Sequence, residues 1–136
     1  AAGNCTINAD QAGDTSFLPA PQVSHTFTVN PVAPGAPTIG TAIAGDTQAS
    51  IAFVAPSNNG GSAITSYTVT ANPADVAPVQ GASSPIVVTG LTNGVAYTFT
   101  VTATNAVPLT GGASAASNSI TPKATQTITF VGPRRN

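Results

Sequence analysis

Glutamate, methionine and tryptophan are absent from this sequence, and charge of either sign is scarce. Charged residues make up 5% of the 136, against about 25% in typical soluble proteins. The net charge of −1 supplies no field to hold nucleic acid or an anionic lipid surface. The basic residues, Lys123, Arg134 and Arg135, all lie near the C-terminus. A single cysteine, Cys5, excludes any disulfide within the chain. No apolar run approaches the ~20 residues of a transmembrane helix. Residues 1–20 lack a charged start followed by an apolar core, so no signal peptide is expected. With no methionine at position 1, the chain reads as an excerpt or a processed product. Acid–base catalysis needs positioned carboxylates or histidines, and only Asp10, Asp14, Asp46, Asp75 and His25 are on offer.

What is present is alternation. In Leu91–Asn105 (LTNGVAYTFTVTATN), Val95, Tyr97, Phe99, Val101 and Ala103 alternate with Ala96, Thr98, Thr100, Thr102 and Thr104. Period two gives a β-strand with one apolar face and one hydroxyl face, whereas on a helix the same positions would spread around the cylinder. Thr92-Asn93-Gly94 before it supplies turn residues that tolerate positive φ. Hydrophobic residues reach 41% and fall in register, which is not a disorder composition.

The chain in order repeats this theme. Cys5–Ala9 and Val23–Val29 alternate on either side of turn residues, but two strands bury too little to stand alone. Pro31–Gly35 (PVAPG) reads as a linker that discourages helix and ladder alike. A loosely patterned first strand is expected over Ala36–Ala44, then Ala49–Val54 stopped by Pro56, then a polar, mobile loop Ser57–Ser62. Ile64, Tyr67 and Val69 lead a third strand that ends near Asn72-Pro73. Ala74–Ser84 has room for one short edge strand, where prolines are tolerated. Ile86 and Val88 mark the next strand, then come the Leu91–Asn105 stretch and the loop Val107–Ser114. Ala115–Thr121 is the last strand, ended by Pro122. Seven short strands at roughly ten-residue spacing predict an all-β, antiparallel immunoglobulin-like sandwich. Its expected core is Ile51, Phe53, Tyr67, Val69, Val88, Leu91, Tyr97, Phe99 and Val101.

Two resemblances refine this. The phrases GNCTINADQAGDTSF and VSHTFTV resemble the closing half of a bacterial immunoglobulin-like tandem repeat of surface proteins. Gln126–Phe130 (QTITF) resembles the strand that opens such a repeat. The resemblance implies a second cysteine earlier in the repeat, in a part absent here, which accounts for Cys5 standing alone. Residues 35–123 resemble a fibronectin type III domain. The similarity rests on Pro37, on Ile64, Tyr67 and Val69 (I-x-x-Y-x-V), on the spacing from Leu91 to Tyr97, and on Ala103-Thr104-Asn105. It implies that Tyr97 is the tyrosine-corner residue, with its hydroxyl bonded to backbone upstream. Phe53 stands where many members carry tryptophan. The domain organisation is then 1–30, the back of one repeat; 31–34, a linker; 35–123, the fibronectin type III domain; and 124–136, the first strand of a following repeat.

No residue assembles into a catalytic, cofactor or metal site. Asp46 follows Gly45 in a turn, where aspartate bonds its own backbone. Asp10 and Asp14 flank a turn and are too few for Ca²⁺, which takes six to eight oxygens. His25 has no second ligand at metal spacing, and Cys5 lacks a His–Asn partnership. Asn4-Cys5-Thr6 fits a glycosylation sequon by coincidence. The loops Ser57–Ser62 and Val107–Gly112 share one end of the sandwich but carry no Arg, Trp or Tyr of the kind that dominates binding hot spots. The expected role is a non-enzymatic structural module of a secreted or cell-surface bacterial tandem-repeat protein. It would act as a spacer, an adhesion support or a fibre subunit, with neither nucleic acid nor a membrane span. A carbohydrate- or protein-binding accessory module of an extracellular enzyme is the alternative. Sticky unpaired strand edges suggest head-to-tail self-association, residues 125–131 of one chain adding to the sheet of residues 1–30 in the next.

Overall fold

A computed structural model describes residues 3–129 and Gly132, and among them there is no helix. Eight strands form among the described residues: β1 (Gly3–Gln11), β2 (Ala20–Val29), β3 (Thr38–Ala44), β4 (Gln48–Val54), β5 (Ile64–Asn72), β6 (Val79–Gly81), β7 (Ile86–Thr89) and β8 (Thr98–Asn105). β1 and β2 pair antiparallel as a separate two-stranded sheet, while β3-β4-β7 and β6-β5-β8 are the two layers of a sandwich. Every ladder is antiparallel.

The alternation read from the sequence sets which residues meet between the layers. β8 buries Phe99, Val101, Ala103 and Asn105 and turns its threonines outward. All nine expected core residues are buried, joined by Ala42, Ala49, Ala71, Ile86 and Ala103. The rings of Phe53 and Tyr67 pack across the two sheets with centroids 4.7 Å apart. Phe53 thus fills its site as an aromatic without the bulk of tryptophan. Tyr97 takes the corner position: its ring is fully buried, and its hydroxyl accepts the Thr92 N–H at 3.1 Å and donates to Asp75. Gly94 in the turn ahead of it has φ +86°, the left-handed value that favours glycine.

The seventh sandwich strand differs from the expectation. Ala115–Thr121 forms no regular ladder, only a bridge between Ile120 and Tyr97. The reason is visible in the hydrogen bonds. Ser114 N–H donates to the Val101 carbonyl at 2.8 Å, and Ser114 Oγ accepts the Val101 N–H at 3.0 Å. Ser117 repeats this on Phe99, its N–H donating at 2.9 Å and its Oγ accepting at 3.0 Å. Three residues of this segment advance for every two of β8, and a serine hydroxyl replaces the carbonyl that a regular strand would present. Asn118 completes the seam on the other side, its amide both accepting from Ala42 N–H and donating to Ala42 O. The segment ties β8 of one layer to β3 of the other.

The hairpin β1–β2 adds nothing to that core. Its polar face is cross-linked by Thr6–Thr26, Ser24–Asn8 and Thr28–Asn4 hydrogen bonds. Its other face presents Cys5, Ile7, Val23, His25, Phe27 and Val29, all exposed. Of the expected strand over 125–131, residues 125–129 join no ladder, and Phe130 and Val131 lie outside the described residues, as do Arg134 and Arg135.

Candidate functional site

The sequence-derived candidates are scattered rather than convergent. Asp14 makes the turn between β1 and β2, its carboxylate accepting the Ser16 and Phe17 N–H groups at 2.7 and 2.9 Å. Asp75 accepts from Tyr97. His25 and Cys5 lie exposed on the apolar face of the hairpin, and Asn4 on its polar face is engaged by Thr28. Among the described residues no group of three His, Cys, Asp or Glu side chains could hold a metal ion. Both tyrosines are buried, which removes them as an aromatic platform for sugar. A shallow depression of about 220 Å³ lies over Ile43, Gln48, Ser50 and Val87 on the outer face of the β3-β4-β7 layer. It presents no titratable side chain.

What the fold does build is a grip at each pole. The loops Ser57–Ser62 and Val107–Gly112 do share one end, and the preceding linker lies against both. Val32 and Gly35 donate N–H groups to the carbonyls of Gly60 and Asn58, each at 2.8 Å. Asn105, 1% exposed, donates its amide to Val32 O at 2.9 Å and Asn59 O at 3.3 Å while accepting the Leu109 N–H. The loop is held in shape by Asn58 and Asn59, whose side chains accept the N–H groups of Gly60 and Gly61. A buried polar group must be fully paired, and Asn105 is. The sequence carried a signal for it: an asparagine on the apolar parity of β8, two places after Ala103.

At the other pole the turn Gly45–Thr47 holds the chain that leaves the domain. Lys123 N–H donates to Gly45 O, Gly94 N–H to Pro122 O, and Thr125 N–H to Asp46 Oδ2 at 3.1 Å. Asn93 locks the turn, accepting the Thr47 N–H and donating to Asp46 Oδ1 at 2.8 Å. The sequence reading of Asp46 as a residue bonding its own backbone is corrected here: its carboxylate reaches across to Asn93 and Thr125. Those donors, the Asn93 amide first and the Thr125 N–H second, hold the Asp46 carboxyl below the usual carboxylate range.

The fibronectin type III domain family matches residues 32–121, and no curated protein sequence matches the chain. Among solved structures, domains d3–d4 of the rat CD45 extracellular region match at TM-score 0.63 and 16% identity, covering 86% of this chain and 63% of that one. The twitchin kinase region from C. elegans matches at TM-score 0.60 and 18% identity, covering 68% and 17%. Module A71 of human cardiac titin matches at TM-score 0.54 and 26% identity, covering 70% and 95%. The chain therefore spans less than two thirds of the CD45 and twitchin chains, whereas 70% of it covers nearly the whole of the single titin module. Such modules occur in an extracellular region and in muscle alike. Its sandwich, tyrosine corner and matched residues place this chain in the fibronectin type III family.

Proposed function

We propose that the chain is a non-catalytic structural module of a secreted or cell-surface bacterial tandem-repeat protein, serving as a spacer within an extracellular fibre or adhesive stalk. The observation that carries this reading is that the loop pair available for partners is taken up by the chain's own linker. A hydroxyl-rich, charge-poor surface suits such a role. Copies associate head to tail, the segment Thr125–Val131 of one chain adding to the sheet of residues 1–30 of the next. Supporting this are two amphipathic elements without cover: the hairpin, with Ile7 59%, Val23 55% and Phe27 50% exposed, and the far segment, with Ile128 76% exposed. Such a contact is heterologous and leaves each end open for the next copy.

Sedimentation velocity over a wide concentration range tests the association. Wild-type protein is expected to form an open series of oligomers that Ile128→Asp and Phe27→Asp each abolish. A monomer at every concentration overturns head-to-tail pairing. Specific glycan binding lost on mutation of loop 107–112 overturns the spacer role.

A further inference from the structure

The sandwich holds the chain on both sides of it. The linker lies flush on one pole: a Cβ on Gly60 would stand 2.0 Å from Val32 O, and one on Gly111 2.2 Å from Pro34 O. Gly60 and Gly111 leave room for this close approach, and Gly60 also takes a left-handed φ of +72°. Pro34 and Pro37 are buried beside them. At the opposite pole Pro122 is buried and Lys123 and Thr125 are bonded to the Gly45-Asp46 turn. The two poles are the two ends of β4, seven residues long, hence roughly 20 Å apart at about 3.3 Å per residue.

We propose that the domain is a splint, fixing the directions in which the polypeptide enters at residues 31–35 and leaves at residues 122–125, so that neighbouring modules cannot pivot at those joints. A proline-rich linker alone gives a stiff rod free to swing at its ends. Here the Val32 and Gly35 N–H groups and the Val32 carbonyl of the linker are bonded to the domain, so the swing is suppressed as well. The proposal holds whether or not copies associate, and so it stands or falls separately from the sedimentation result.

The test measures the joint in the full chain. Spin labels on Asn30→Cys and Thr89→Cys, in a Cys5→Ser background, are expected to give one narrow distance distribution. Gly111 lies outside the left-handed region, so Gly111→Ala adds volume without backbone strain. It should broaden that distribution and accelerate hydrogen exchange at Val32 and Gly35 by about tenfold or more, the loss of at least one hydrogen bond's net worth. Gly112→Ala, where the added Cβ meets nothing within 4 Å, should change neither. A broad distribution in the labelled parent overturns the proposal, and that measurement decides the matter even if Gly111→Ala does not fold. A Gly111→Ala distribution as narrow as the parent's overturns it too.

Discussion

Replacing Ser114 by alanine removes one oxygen, and the cost follows from where that oxygen sits. Ser114 is 8% exposed and Val101 fully buried. The lost Oγ is the acceptor of the Val101 N–H at 3.0 Å. The variant therefore strands a buried backbone donor, which costs about 1–3 kcal/mol, whereas removing both partners of a hydrogen bond together would cost little. For a domain of this size each kcal/mol lowers Tm by about 4–8 °C, so a fall of roughly 4–24 °C is expected. The assay is urea and thermal unfolding followed by circular dichroism and tyrosine fluorescence, with hydrogen exchange read at the Val101 amide. Exposed Ser119→Ala serves as control and should fall within ~0.5 kcal/mol of wild type. If Ser114→Ala matches that control and the Val101 amide stays as protected as before, serine hydroxyls do not stand in for strand carbonyls and the account of the last segment fails.

Tyr97→Phe keeps the ring but leaves the Thr92 N–H without its acceptor; a loss of about 1–2 kcal/mol is expected from unfolding curves, against about 3–5 for Tyr97→Ala, which also opens a cavity. Leu91→Ala, at a site 2% exposed, should cost about 2–5 kcal/mol by the same measurement. Asp46 gives a pH signature. Its folded pKa lies below the ordinary aspartate value of 3.8, so its contribution is fully present above that value and is lost as pH falls through the folded pKa. The stability difference between wild type and Asp46→Ala should therefore shrink in acid, and Thr125 N–H exchange, corrected for its intrinsic pH dependence, should become less protected below pH 3.8. A difference that stays constant from neutral pH into acid would contradict the linkage.

The sequence by itself determined the sandwich. Period-two alternation decides which side chains can share a face, and from Ile51 to Val101 every expected core residue faces inward. It also determined the corner at Tyr97 and most strand limits, because prolines and turn residues interrupt pairing locally. Tertiary structure decided everything that depends on polar side chains meeting distant backbone. Ser114 looks like an ordinary loop residue, and Ser117 and Asn118 like members of a regular last strand, until β8 and β3 are beside them, and Asp46 looks like a turn residue until Thr125 arrives. Gly60 and Gly111 look like ordinary loop glycines in the sequence, yet the linker lies against both, and Gly60 also takes a left-handed φ of +72°. Hydrophobic patterning is written in neighbouring positions and can be read there. A hydrogen bond spanning 73 residues, as from Asn105 to Val32, exists only once the chain has closed on itself.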